Sequence, residues 1–171
     1  MSGELTHATI QLYTDGASTP RAEVVPGGWA YAYVYNNMLI CTGWDGEKPT
    51  TNQRMELMGV IRGLEDRIHR HELDSIHYDA IEIITDSAYV YRGMVEKWYI
   101  DWRFNDWTKR DDSGKLVPIA NKDLWQRLIS AEQCAKDNNI TILWTKIRGH
   151  KGVLYNEVCD KLAVKGKLSV S

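Results

Sequence analysis

Two apolar runs, "IQLYTDGAS" at 10–18 and "IEIITDSAY" at 81–89, each carry Thr-Asp followed by a small residue. Both read as strands: Ala8–Thr14 is mostly β-forming around one polar Gln11, and "AIEIITD" at 80–86 is a second such run. Between them, "WAYAYVY" (29–35) alternates aromatic or branched residues with smaller ones. "NN" at 36–37 signals a turn, and "MLICTGW" (38–44) returns as the hairpin partner. The first three strands therefore form an antiparallel meander. A helix follows, capped by Thr51 or Asn52, with Leu57, Ile61, Leu64 and Ile68 recurring at i, i+4, i+7 and i+11. A helical crossover ordinarily returns the chain parallel to its start. If the two Thr-Asp strands are neighbours, Asp15 and Asp86 end at one sheet edge, with backbones about 4.8 Å apart.

The rest of the chain completes the class. Short helical pieces run from about Ser87 to Phe104, and "DDSGK" is a polar loop. "NKDLWQRLISAEQCAKDN" is a helix with Leu124, Leu128 and Ala131/Ala135 on one face. "ITILWTK" (140–146) is a fifth strand, and "LYNEVCDKLAVKG" a closing helix expected to bury Leu154, Val158 and Leu162. Strands first, then strands alternating with helices, give an α/β protein: a mixed five-stranded sheet, three antiparallel strands then two parallel, flanked by helices. The 171 residues suit one domain, 1–171, able to bury a core without disulfides.

Composition removes several classes. A net charge of −2 gives no global basic field. From Trp144 onward, however, six Lys/Arg face two acids, Glu157 and Asp160; such a tail is ordinarily a solvated helix. Cys41, Cys134 and Cys159 are odd in number and irregularly spaced, which disfavours a disulfide framework or zinc site and suits a reducing compartment. The first residues lack a signal-peptide apolar stretch and no run approaches membrane-spanning length, so a soluble, cytoplasmic protein is expected.

Two ionised carboxylates at one edge repel by roughly 3 kcal/mol at an effective dielectric near 20. Protonation, a nearby cation or a divalent metal must offset that. Each Asp could instead begin a turn or cap a helix, but Gly16 and Ser87 leave room beside both. Glu56, in the first turn of the helix, lies roughly 40–140° round from the apolar stripe at 100° per residue. It borders the core, although a first-turn acid is also favoured by the helix dipole.

With those residues in view, the chain resembles the type 1 ribonuclease H family over nearly its whole length. The supporting pieces, in order, are "YTDGA", "GGWAYAY", "TTNQRMELMGVI", "TDSAYV", "KDLWQRL" and "KIRGHKGVLYNEVCDKLA". "TNQRMEL" and "GH…NEVCDKLA" are the specific ones; "TDG" alone is weak. The resemblance implies a ribonuclease H-like fold and hydrolysis of the RNA strand of RNA–DNA hybrids, leaving 5′-phosphate and 3′-hydroxyl ends. It also implies two Mg²⁺ ions, with Mn²⁺ as an alternative, bound by Asp15, Glu56, Asp86 and Asp160. Pattern alone does not select Asp160, which falls opposite Leu154, Val158 and Leu162 on its helix.

By the same resemblance Asp15 bridges the ions, Asp160 helps hold the one that activates water, and Glu56 and Asp86 hold the one at the leaving 3′ oxygen. His150, in "RGHKG", becomes an assistant to proton transfer or product release. Backbone near Gly16 and Ala17 and the side chains of Asn52 and Gln53 match positions facing the minor groove, where 2′-hydroxyls mark RNA. Thr51 matches a residue seating a DNA-strand phosphate. Trp98, Trp102 and Trp107 fall in a projecting helical handle, and Asn156 and Glu157 support the loop and helix beside the site. No protein partner is implied, and a monomer is expected.

Departures from the family pattern point to altered substrate grip. From Lys97 to Lys122 there are six cations but four acids, with Phe104 and Asn105 where positive charge is usual. The first loop, "STPRAEVVPGG", is long and lacks an Asn, and Ala88 replaces a polar residue. Two other functions compete: a non-cleaving nucleic-acid-binding module, and a DNA nuclease of the same superfamily. The presence of all four acids disfavours the first, and "TNQRMELMGVI" with "GH…CDKLA" disfavours the second. An aspartic protease is excluded because neither "TDGA" nor "TDSA" is its Asp-Thr/Ser-Gly signature.

Overall fold

In β2 (Gly27–Tyr35), Trp29, Tyr31 and Tyr33 point to one side of the sheet, while Ala30, Ala32 and Val34 point to the other. That alternation of size sets the layers, as seen in a computed structural model that describes residues 8–149 and 153–171. The strands β1 (Thr9–Ser18), β2 and β3 (Met38–Glu47) form the antiparallel meander. The chain continues through α1 (Asn52–Asp66), two 3₁₀ turns and β4 (Ala80–Thr85) to the short helices α2 (Ala88–Val95) and α3 (Trp98–Phe104). A small hairpin follows, β5 (Thr108–Arg110) and β6 (Leu116–Pro118), then α4 (Lys122–Asp137), β7 (Thr141–Lys146) and α5 (Leu154–Ser169). The main sheet has the order β3-β2-β1-β4-β7, with β4 parallel to both β1 and β7. The expected mixed α/β sheet is present.

The aromatic face of β2 packs with Ile10 and Leu12 of β1 and with Met55, Leu57, Val60, Ile61 and Leu64 of α1. Burying side chains of this size contributes about 1.5–3 kcal/mol each. The Tyr33 hydroxyl, wholly buried, donates to the Gly63 carbonyl at 2.7 Å, so its burial leaves no orphan donor. The opposite face carries α5 against Tyr13, Ala30, Ala32, Val34 and Ile84. Here small residues let backbones touch: a Cβ on Gly28 would overlap the Ala163 carbonyl and the Lys167 amide.

Two expectations need correction. Ile68 is 65 % exposed, because α1 ends at Asp66 and the chain turns into a 3₁₀ segment there. On α5 the buried residues are Asn156, Cys159, Ala163 and Gly166, and Leu154 is exposed. The helix lies too close to the sheet for large side chains to fill the gap. The polar "DDSGK" is a loop as expected, closing the small β5–β6 hairpin, where Asp111 Oδ1 accepts from the Ser113 and Lys115 amides and Gly114 takes a positive φ of 81°. Among the described residues, no helix is long and apolar enough to cross a membrane.

Candidate active site

The β1–β4 ladder stops at Tyr13–Ile84, but β1 continues against β2 as far as Ser18–Gly27. Asp15 therefore sits within β1, where it outruns β4, and does not close the strand as expected. Asp86 follows β4 directly, so the two acids still share one sheet edge. Gly16 makes the third acid fit. A Cβ there would come within 2.5 Å of the Glu56 backbone nitrogen, so only glycine lets α1 lie against β1 at Met55–Glu56.

Thr51 caps that helix, its Oγ1 accepting from the Arg54 amide at 3.2 Å. Both Glu56 oxygens have donors: Asn52 Nδ2 to Oε1 at 3.0 Å and Ser87 Oγ to Oε2 at 2.6 Å. The fourth acid arrives on α5. Because Cys159 and Ala163 face the sheet, Asp160 borders the buried face instead of opposing it. Asp15, Glu56, Asp86 and Asp160 thus line one depression of about 360 Å³ with Gly16, Ala17 and Asn52.

Its electrostatics are adverse without a counter-charge. Asp15 is 4 % exposed; its Oδ1 accepts from the Gly16 amide at 2.8 Å, and its Oδ2 is buried with no hydrogen-bond partner. Burial first, then the Asp86 charge, with smaller effects of Asp160 and Glu56, push its carboxyl up to about 8 against the Gly16 N–H. Glu56 is also raised, first by burial, then by Asp86, with the Ser87 and Asn52 bonds opposing. The neighbouring Cys159 thiol is raised by burial and by Asp15 and Asp86.

An all-oxygen anionic donor set with one orphaned buried carboxylate oxygen fits a hard divalent cation and not zinc. Among the described residues, no three His, Cys, Asp or Glu side chains stand close enough together to hold a metal ion by themselves. That is compatible with Mg²⁺, which keeps water and substrate oxygens among its ligands.

The other expected residues lie elsewhere. Thr51 and Gln53 are exposed at the start of α1, outside the lining of the depression. Trp98 and Trp102 are partly buried, their ring centroids 6.3 and 5.3 Å from that of Trp125. Trp107, 8 % exposed, packs on Trp102. His150 lies outside the described residues. Sequence reasoning overlooked the bond from Ser87 to Glu56; a serine at the start of a helix after a strand was the available signal. Asn156, buried with neither amide atom hydrogen-bonded, stands one turn before Asp160.

This strand order with acids at the β1–β4 edge is the frame of the ribonuclease H-like folds. LC9-RNase H1, described as a type 1 RNase H with the type 2 active-site motif, superposes with a TM-score of 0.67 at 25 % identity, over 98 % of this chain and 76 % of that one. LC11-RNase H1, solved in complex with RNA/DNA hybrid, shares the fold with a TM-score of 0.67 at 18 % identity, over 94 % of this chain and 98 % of that one. The ribonuclease H of Treponema denticola is 38 % identical over 164 residues, covering 91 % of this chain and 95 % of its own. The RNase H family profile matches residues 7–167, and the chain belongs to that family.

Proposed function

We propose that this chain hydrolyses the RNA strand of RNA–DNA hybrids at the carboxylate depression, with divalent cations, Mg²⁺ or alternatively Mn²⁺, held by Asp15, Glu56, Asp86 and Asp160. The observation that carries this reading is the buried Asp15 carboxylate, with its unpartnered Oδ2 and three further acids around the same depression. When bound, two such ions supply an activated water and neutralise charge on the leaving 3′ oxygen, leaving 5′-phosphate and 3′-hydroxyl ends.

The chain's own groups do the rest. Asp15, on β1 beside β2 and just beyond the end of β4, would be shared between the ions; Asp160 would serve the water side, and Glu56 and Asp86 the leaving-group side. Gly16 and Ala17 backbone with Asn52 and Gln53 face the minor groove, where 2′-hydroxyls identify the RNA strand. Thr51 seats a DNA-strand phosphate, and Trp98 and Trp102 form the handle that borders the duplex. His150 assists proton transfer or product release.

The test is incubation of end-labelled RNA–DNA hybrid, duplex DNA and single-stranded RNA with the purified protein, in Mg²⁺, in Mn²⁺ and in EDTA. Cleavage of the RNA in hybrid alone, abolished by EDTA, is expected. Full activity in EDTA would remove the metal assignment, and equal cleavage of duplex DNA would point to a DNA nuclease.

A further inference from the structure

Glu56 lies in the depression with Asp15 and Asp86, where burial and then the Asp86 charge raise its carboxyl. It is half-buried, held by one donor on each oxygen. The two donors differ in kind. Asn52 is exposed, and its amide competes with water for Oε1. Ser87 is 5 % exposed, and its hydroxyl sits in a fixed frame. That hydroxyl accepts from the Val90 amide at 3.2 Å as the N-cap of α2, and the Ser87 amide donates to Thr85 Oγ1 at 3.0 Å.

A serine hydroxyl has one proton. With the cap bond occupying its acceptor side, that proton is directed at Glu56 Oε2, 2.6 Å away, in a short charge-assisted bond. Ser87 also directly follows Asp86, so the turn that places one acid reaches across to a second acid on α1.

We propose that Ser87 is a positioning residue for the cleavage reaction: its hydroxyl holds the Glu56 carboxylate at the depression beside Asp86 through Oε2, so that Oε1 would be the oxygen offered to a cation. This rests on reading Glu56 as a metal-holding group. Partners that orient metal ligands in this way typically change metal affinity 10–100-fold when removed.

The experiment measures Mg²⁺ binding by calorimetry on substrate-free protein, with melting in EDTA and steady-state kinetics on hybrid, for wild type, S87G, S87A, S87T and E56Q. Glycine retains most of the N-cap preference that alanine loses, so S87G separates the donated bond from the cap. S87G and S87A are expected to bind Mg²⁺ about tenfold more weakly or worse. S87T, which keeps the hydroxyl, restores binding. In S87G, kcat falls while KM for hybrid and the melting temperature in EDTA stay near wild type.

Wild-type Mg²⁺ affinity in S87G would overturn the proposal, because the serine would then be a cap and nothing more. So would an S87T that melts like wild type yet binds as weakly as S87A. If S87T melts low, S87G against wild type decides. Wild-type affinity in E56Q would instead remove Glu56 from the metal-holding set, a failure of the proposed function that is separable from failure of the Ser87 bond alone.

Discussion

At the depression, four carboxylates from β1, α1, the β4–α2 turn and α5 are gathered at one sheet edge, and a buried oxygen of Asp15 goes without a partner. In the handle the arrangement is reversed: apolar mass lies inside and the charges lie in water. Trp98, Trp102 and Tyr89 lean on the wholly buried Trp125, whose indole nitrogen donates to the Tyr89 hydroxyl at 2.9 Å. Outside, Asp101, Asp106, Asp111 and Asp112 are exposed, and Phe104 is 88 % exposed. The first arrangement should lower the stability of the fold and the second should raise it. Unfavourable electrostatics held in place by favourable packing is the mark of a site that awaits a ligand. The handle's apolar interior is explained by packing alone.

The largest expected effect is at Asp15. Asp15→Asn should reduce cleavage of hybrid to about a thousandth of wild type or less, the scale of losing a charge that acts in the transition state. A variant keeping a tenth of wild-type turnover would break the comparison at its strongest point. The same substitution should raise stability in EDTA. An unfolded Asp titrates near about 3.9, whereas the folded Asp15 is pushed up to about 8. The folded state thus binds the proton more tightly, and this group's contribution is lost as pH rises from the lower value through the upper one. Melting curves should show variant and wild type separating across that window, with the variant higher. A variant melting lower at pH 8 would make Asp15 a structural residue.

Next in size is the handle's packing. Trp125→Ala should cost about 3–5 kcal/mol in urea denaturation, as removal of large buried aromatics does. A loss under about 1 kcal/mol would mean that the aromatic cluster does not support the fold. Smaller is the effect of metal on the wild type. Millimolar Mg²⁺ should stabilise it by RT ln(1 + [L]/Kd), about 2.7 kcal/mol if the ion is at a hundred times Kd, and should stabilise Asp15→Asn far less. Equal Mg²⁺ shifts in both proteins would place the ion elsewhere.

The smallest effects probe the handle's outer surface. Asp101→Lys with Phe104→Lys should steepen the slope of log affinity against log salt by just under about one unit for each new phosphate contact. An unchanged slope would show that the handle does not touch the duplex. Asp106 is a poorer choice because it stands at a φ of 54°, where lysine is less readily accommodated. Phe104→Ala should leave stability within about 0.5 kcal/mol, since the ring is already in water.

Much of this architecture was legible in residues 8–146. The size alternation of "WAYAYV", the turn at Asn36–Asn37 and the spacing of Leu57, Ile61 and Leu64 are local patterns, and each recurs in the structure as an element with the expected burial. Glu56 was readable as bordering the core because its angular distance from that stripe is fixed by helix geometry. What failed was the reading of α5. Leu154, Val158 and Leu162 have the periodicity of a buried face, but the helix turns Cys159, Ala163 and Gly166 to the sheet.

The sequence by itself determined the strands and helices, the two Thr-Asp positions and the acid of α1, because these follow from periodicities within a segment; that the two Thr-Asp strands are neighbours is a fact of the sheet. Tertiary structure alone decided that Asp160 joins them. Gly166 of α5 meets the backbone of Asp45 on β3, and Gly28 of β2 meets that of Ala163, so neither position has room for a Cβ. Hydrophobic patterning registers how much apolar area a residue offers to be buried, whereas a close backbone approach depends on how little side chain stands in the way. That second quantity exists only between two elements, and it rotates α5 so that Asp160 reaches the depression.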